Sequence, residues 1–470
     1  MSEPGGPPGV AARTAALRAL GRIRRDAAWS QPALRAALDR AGLPAEDRAL
    51  AAALVYETLR WEGTLDWALE QVSSRPLRKV EPVVADALRL GAWQLLHGRQ
   101  PDRAAVSTTV AAAGEVAGKR VTGFVNGVLR GLARGRERLP WPDPATDEGL
   151  GLRLGYPAWI VAAARARFGE RAEPVLAAGN DAPGVMLRAT GGPAARDALL
   201  DELRAELRAE LRVQGLEPAP APHAAASVHL GSNVDPDRLA SVRQGRAVVQ
   251  DEASTLVGAA AGALTPATRT DRGRRRAVDA CAAPGGKATH LAEQGLAVLA
   301  LDRHAGRAGA MADEVAAHPR SAALGVAVAD GRALPLPDAS VDLVLVDAPC
   351  TGLGVVRRRP ELRWRVAPQD PGELAAIQQA LLAEAARVVA PGGAVCYSVC
   401  TWTHQETAAV VETVEAAPPG TPQAALTPVE PDLGGAGTQL PGDPGIQLAP
   451  DRDGTDGMYV RCWHAGPAEA

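Results

Sequence analysis

The sequence has three lysines in 470 residues, Lys79, Lys119 and Lys287, and aromatic residues make up only 3% of it. Arginine and alanine stand where lysine and isoleucine are more usual, a pattern that reads as coding bias rather than function. A lysine beside Gly285-Gly286 therefore carries more weight than it would elsewhere. No cysteine precedes position 281. Cys281, Cys350, Cys396, Cys400 and Cys462 are odd in number and contain no C-x-x-C pair, which argues against a disulfide framework and against a zinc site. Free thiols fit a reducing cytosol, and no metal is expected. The N-terminal stretch Val10 to Asp26 lacks an apolar signal core, being broken by Arg13, Arg18, Arg22, Arg24 and Arg25. The longest uncharged run, Ala253 to Thr268, falls short of the ~18–20 residues of a spanning helix and reads as a soluble helix. Neither G-x-G-x-x-G nor G-x-x-x-x-G-K-[ST] occurs, so a dinucleotide fingerprint and a Walker loop are both missing.

Apolar and charged contents, 46% and 22%, are those of an ordinary globular chain long enough for two or three domains. The net charge of −3 conceals an asymmetry. Residues 1–140 hold 21 Lys and Arg against 14 Asp and Glu, a net of +7, while the remainder holds 30 against 40, a net of −10. A basic module joined to an enzyme accounts for this, with solvated helix faces as the plainer reading.

Residues 8–140 show helical i, i+3, i+4 apolar spacing, as in 15–23 and 49–59, and no strand-like alternation, so a compact helical bundle is predicted. Pro140-Trp-Pro-Asp-Pro144 reads as a stiff linker closing it. Residues 150–250 mix helices (159–171, 194–212) with short strands near 184–188 and 246–250. Within the second helix, the repeat at 202–212 reads as a solvated face. From about 251 apolar strands at 277–280, 296–301, 324–329, 341–346 and 394–399 alternate with helices, which predicts right-handed βαβ units and a doubly wound sheet. Residues 421–442 read as a loop, 457–463 as a last strand, antiparallel and at the edge, and 268–276 as a basic loop. The domains expected are 1–145 (helical), 146–250 (α+β) and 251–470 (α/β).

In such a sheet, ligands bind beyond the carboxyl ends of the strands. That rim receives Cys281-Ala-Ala-Pro-Gly-Gly-Lys287 from the first strand, where Gly285 and Gly286 permit close backbone approach and a helix N-terminus follows. The next three strands deliver Asp302, Asp330 and Asp347. A lone aspartate there is more often a cap or turn residue, but an acid at the tip of the second strand commonly holds ribose hydroxyls. Cys350 and Cys400 close two further apolar runs, so a nucleotide-type cofactor and two thiols share one rim, the arrangement for covalent catalysis of group transfer. Thr403-His-Gln-Glu406 has the form of a capping box, whose helix could lower a neighbouring thiol's pKa. Cys396 lies mid-strand and reads as a packed thiol. Arg357-Arg-Arg359, Arg363 and Arg365 offer phosphate contacts at least as readily as a solvated charge run.

Asp279-Ala-Cys-Ala-Ala-Pro-Gly-Gly-Lys287, Asp347-Ala-Pro-Cys-Thr-Gly-Leu-Gly354 and Tyr397-Ser-Val-Cys-Thr401 together resemble the signature motifs of the Sun-type RNA cytosine-5 methyltransferases. Leu54-Val-Tyr-Glu-Thr-Leu-Arg60, Leu88-Arg-Leu-Gly-Ala-Trp-Gln-Leu-Leu96 and Gly123-Phe-Val-Asn-Gly-Val-Leu-Arg130 are similar to the NusB-like RNA-binding domain of the branch that modifies small-subunit ribosomal RNA. Val249-Gln-Asp-Glu-Ala-Ser254 matches the start of the family's catalytic domain. The resemblance implies three parts: an all-α NusB-like bundle, a small α+β linker subdomain and a Rossmann-like α/β methyltransferase domain. It implies S-adenosyl-L-methionine held by Cys281, Ala282, Ala283, Pro284, Gly285, Gly286, Lys287, Asp302, Asp330 and Asp347. It further implies Cys400 as the nucleophile that adds to carbon 6 of cytosine, Cys350 as an aid to release, and Asp347 as a hydrogen-bonding partner of the base. The partner implied is 16S ribosomal RNA, free or in an early particle, and the chain is expected to be a cytoplasmic monomer without membrane or DNA partners. Rival readings are a transfer-RNA cytosine-5 methyltransferase, a non-catalytic RNA-binding assembly factor, and a DNA cytosine methyltransferase, in which the Pro-Cys cysteine would be the nucleophile.

Overall fold

The computed structural model describes residues 9–208, 217–231, 234–265, 274–319 and 323–466. Residues 268–273 of the basic loop at 268–276, 209–212 of the Glu/Arg repeat, and 266–268 of the uncharged run lie outside them. The chain divides into two compact units: residues up to Ala166 together with Arg358–Val366, and Arg167–Arg357 together with Ala367–Ala470.

Over its described residues the first unit has helices and no strands, with long helices at Val10–Arg25, Ser30–Ala41, Ala45–Arg60, Pro82–Leu96, Asp102–Ala117 and Thr122–Gly135. Their apolar faces repeat at helical spacing, as with Ala12, Ala16, Ala19, Leu20 and Ile23 on the first, and bury a common core with Leu54, Leu59, Leu88 and Leu129. The proline-rich stretch at 140–144 is packed, Trp141 lying 4.4 Å from Trp67 between ring centroids. Helices Asp147–Leu154 and Ala158–Phe168 follow it.

The short segment Arg358–Val366 is built into this unit. Glu361 accepts a 2.9 Å hydrogen bond from the Ser30 N–H, and the Trp364 indole donates to the Leu59 carbonyl at 2.6 Å. Arg363 is fully buried, donates to the Gly155 carbonyl at 3.1 Å and lies 3.8 Å over the Tyr156 ring. Arg365 donates to the Ala28 carbonyl at 2.6 Å. The expectation that these arginines meet phosphates is corrected for Arg363 and Arg365, whose guanidinium groups are taken by backbone carbonyls. Arg357 is likewise consumed in the second unit, where Asp456 accepts its Nε–H at 2.5 Å.

The second unit carries two sheets. The smaller is antiparallel in the order β2 (Ala219–Pro220), β3 (Ser227–His229), β1 (Met186–Ala189), β4 (Ala247–Val249). Among the described residues the larger has nine strands: β5 (Arg276–Asp279), β6 (Ala297–Asp302), β7 (Leu324–Val328), β8 (Val341–Asp347), β9 (Val389–Val399), β10 (Leu426–Val429), β11 (Thr438–Gln439), β12 (Ile446–Leu448) and β13 (Met458–Ala465). Its order is β11-β12-β13-β9-β8-β5-β6-β7, with β10 also on β13. β7, β6, β5, β8 and β9 run parallel, and their continuous apolar runs, such as Leu343 to Val346, are wholly buried. Strand order reverses on the two sides of β5, which opens a ligand crevice there.

Two expectations are corrected. The last strand is antiparallel but internal, lying between β9 and β12. The stretch 421–442 is not loop throughout, because Leu426–Val429 pairs with β13; an edge position tolerates Pro428, which has no N–H to give. Among the described residues no helix is long and apolar enough to cross a membrane.

Candidate active site

The carboxyl ends of β5, β6, β8 and β9 deliver the candidate residues to one rim. The turn after β5 leads directly into the helix Gly286–Glu293. Gly285 has φ 116°, a left-handed backbone conformation that favours glycine. Arg188 of β1 is buried and braces this helix, donating to Thr289 at 3.1 Å and forming an ion pair with buried Glu293. Gln250 accepts from the same guanidinium at 2.6 Å, which ties the smaller sheet to the glycine turn.

Lys287 lies at the centre. Its ammonium donates to Asp347 Oδ2 at 2.7 Å and to Ser254 Oγ at 3.4 Å, and Ser398 Oγ donates to Asp347 Oδ1 at 2.7 Å. Burial alone would lower the lysine pKa, but Asp347 outweighs it, with Cys400 and Asp279 adding to the effect, so the pKa is raised. Asp347 is thereby oriented by two donors while about a third of its side chain stays accessible.

The two thiols meet. Cys350 Sγ and Cys400 Sγ are 3.3 Å apart. The turns that carry them are stitched by the Gly354 N–H to the Cys400 carbonyl at 3.0 Å and by the Ala348 N–H to the Ser398 carbonyl at 2.9 Å. Gly354 is obligatory, since a Cβ would fall 1.9 Å from the Gly457 carbonyl oxygen. Cys350 is held well above the ordinary thiol pKa, first by its hydrogen bond with Cys400 and then by burial and the charges of Glu406 and Asp347. Cys281, half-buried, is pushed up to about 12 by burial and by Asp279. Cys396 is fully buried, 3.3 Å from Cys462.

Asp279 ends β5 inside the core with 1% exposure. Among the described residues no side chain hydrogen-bonds either of its oxygens. Burial, and after it Asp347, push its pKa up to about 7, with the Lys287 ammonium and then the Cys281 N–H offsetting part of the shift. A buried acid without a side-chain partner beside a glycine cradle fits a ligand that carries positive charge.

The methyltransferase RsmB/F family model, described as 16S rRNA methyltransferase RsmB/F, matches residues 268–463, and the NusB family model matches 10–134. A Mycobacterium tuberculosis protein named as a methyltransferase is 37% identical over 459 residues, covering 96% of this chain and 95% of the relative. Ribosomal RNA small subunit methyltransferase B of Xanthomonas campestris is 34% identical over 418 residues, 86% of this chain and 87% of its own. The chain belongs to the RsmB/F family of 16S rRNA methyltransferases. The crystal structure of PH0851 shares its fold, with a TM-score of 0.76 at 22% identity over 98% of this chain and 100% of that one.

In this RsmB/F chain, Cys350, Cys400, Asp347 and Lys287 gather in one cluster. The acids at the other strand ends are engaged locally. Asp302, at 4% exposure, accepts from the His304 N–H at 2.8 Å and pairs with Arg307 at 3.2 Å. Asp330 lies two residues beyond β7, where Arg332 takes its carboxylate and holds its pKa down at about 2. The neighbouring Gly331 is set against the carbonyl of Ala280, so this turn reaches the same rim. The capping-box expectation is corrected. Residues 404–406 form one 3₁₀ turn, the α-helix starts only at Ala408, and Glu406 turns inward instead of reaching the Thr403 N–H. The helix dipole expected beside Cys400 is therefore not supplied by that turn. Sequence reasoning does not single out Asp279, Ser254, Ser398 or Glu406 as individual site residues. A charged residue inside or against an apolar run is a signal for Asp279 and Glu406; the two serines carry none.

Proposed function

We propose that this chain methylates carbon 5 of a cytosine in 16S ribosomal RNA through a covalent cysteine–base adduct, using S-adenosyl-L-methionine. Residues 281–287, Asp302, Asp330 and Asp347 would hold that cofactor, and buried Asp279 would face its positive charge. When bound, the cofactor supplies a methyl group on a sulfonium. The contact of the two thiols beside the Lys287–Asp347–Ser398 cluster is the observation that carries the reading. The division of labour would be residues 1–145 for RNA, 146–250 as linker and 251–470 for chemistry, in a cytoplasmic monomer.

Carbon 5 of cytosine is a weak nucleophile. Attack of the Cys400 thiolate on carbon 6 would make the ring enamine-like, so that carbon 5 would be nucleophilic enough to accept the methyl group, the bonding pair staying on the cofactor's sulfur. The proton lost by the Cys400 thiol would be taken up at N3, where Asp347 would hydrogen-bond the base edge, and N3 would give it to water when the adduct breaks down. In release, the C5–H electron pair re-forms C5=C6 and the C6–Sγ pair returns to Cys400. Cys350 gives its thiol proton to the departing sulfur and receives the C5 proton, ending unchanged. The base must be unstacked to reach the rim.

The test is methylation of 16S rRNA transcript followed by nucleoside mass spectrometry. 5-Methylcytidine should form, Cys400→Ser should abolish it, and Cys350→Ser should accumulate a protein–RNA adduct. Product without 5-methylcytidine rejects the reading, and an adduct in Cys400→Ser alone would exchange the two roles.

A further inference from the structure

Glu406 has 0% exposure, yet it carries a carboxylate whose described partners are all neutral donors. Oε1 accepts from the Thr351 N–H at 2.8 Å and from Gln378 Nε2 at 3.3 Å. Oε2 accepts from Thr351 Oγ1 at 2.6 Å and from Thr403 Oγ1 at 2.7 Å. Thr351 directly follows Cys350. Thr401, which directly follows Cys400, is 2.8 Å from Thr351 between hydroxyl oxygens. One side chain thus gathers both cysteine turns. Gln378 also donates to the Pro349 carbonyl at 2.9 Å and so ties the clamp to the residue before Cys350.

A glutamine in its place would be neutral but has a single acceptor oxygen, so its NH2 would face two of these donors; two acceptor oxygens, and with them a buried charge, are what the four donors call for. Two of those donors belong to Thr351, which brings the carboxylate to the residue after Cys350. We propose that Glu406 is a positioning residue: its carboxylate fixes the separation of Cys350 and Cys400 and, through its charge, favours the neutral thiol on Cys350. This deepens the reading above and rests on it, because the release step needs a proton on Cys350. The titratable groups that face Cys350 are Cys400, Glu406, Asp347 and Tyr397. Three of them can be negative, and the cation of the cluster, Lys287, is paired with Asp347. Burial raises the pKa of Glu406 itself, while its hydrogen bonds to Thr351, Thr403 and Gln378 oppose that shift.

The charge and the clamp separate by mutation. Glu406→Gln keeps the length of the arm, removes the charge and turns one acceptor into an NH2 donor; Glu406→Asp keeps the charge and shortens the arm. Iodoacetamide alkylation of Cys350 is followed against pH by peptide mass spectrometry in a Cys400→Ser background, so that one thiol of the pair is read. Glu406→Gln should alkylate Cys350 about tenfold faster at a given pH, a shift of about one unit in its midpoint, and Glu406→Asp should leave the profile in place. In the chain with both cysteines, Glu406→Asp should lower kcat about a hundredfold with the KM for 16S rRNA retained, as expected for misplaced reacting groups. An unchanged Cys350 profile in Glu406→Gln overturns the charge role, and an unchanged kcat in Glu406→Asp overturns the spacing role, even if Glu406→Gln does not fold. Should the wild-type chain transfer no methyl group to the RNA, the proposed reaction falls, while the alkylation profiles, which need no RNA, still decide what the Glu406 charge does.

Discussion

Asp279 shows how burial and function meet in one residue. Its pKa of about 7 lies above the unfolded value of about 3.9. The stability it contributes is complete below the unfolded value and is lost as pH rises through about 7, because the folded core then holds a charge it would rather neutralise. Thermal unfolding of the ligand-free protein should therefore fall between pH 5 and pH 8 more steeply in wild type than in Asp279→Asn; parallel curves would remove Asp279 as the cause. S-Adenosyl-L-methionine, being cationic, should bind more tightly above this transition than below it, and the pH dependence should vanish in the same variant, as titration calorimetry can read. Asp302→Ala belongs beside it. If Asp302 holds the cofactor's hydroxyls, affinity should drop by roughly 1.5–3 kcal/mol, whereas unchanged affinity would leave it a turn residue bound to the His304 N–H and Arg307.

At the scale of elements, the parallel strands were legible because each is an apolar run too short for a helix and flanked by glycine or charge. The rim was legible with them, since strand ends fix where Asp347, Cys350 and Cys400 emerge. Interactions that depend on distant partners were not. Leu426–Val429 is a strand only because β13 supplies its hydrogen bonds, and Thr403-His-Gln-Glu406 has the same letters whether its glutamate caps a helix or enters a buried network. The arginines at 363 and 365 read as solvated or phosphate-binding from charge alone, because a sequence does not reveal carbonyls waiting at Gly155 and Ala28. Arg363→Ala should consequently act on stability. It strands buried carbonyls and removes a cation–π contact, so the full chain should lose about 2–3 kcal/mol. Denaturant unfolding checks this, and a variant as stable as wild type with weaker RNA binding would restore the phosphate assignment. A fragment ending near residue 145 lacks this segment and should be less stable than the unit it is cut from.

At the scale of the molecule, charge is divided between a basic N-terminal stretch and an acidic remainder. Part of the N-terminal charge is internal. Arg24 and Arg89 are set among Glu62, Asp66 and Asp86, a group with more anions than cations, so the positive surplus falls on other residues. Lys119, Arg120, Arg130, Arg134 and Arg138 are exposed. Arg130 and Arg134 stand one turn apart on the helix Thr122–Gly135, so both present charge to the same side. A polyanion held by such groups releases counterions on binding, and log Kobs then falls linearly with log salt, by about 0.7 per phosphate neutralised for single strands. The full chain's affinity for 16S rRNA should therefore fall steeply with added salt. Arg130→Glu combined with Arg134→Glu should lower the affinity and flatten the slope by about 1.4, twice the single-contact value. Methyl-donor affinity should be untouched, because the rim lies in the other unit. Filter binding over a salt series decides it. An unchanged slope in the double variant would show that this helix face is solvated surface and move the RNA contact elsewhere on the chain.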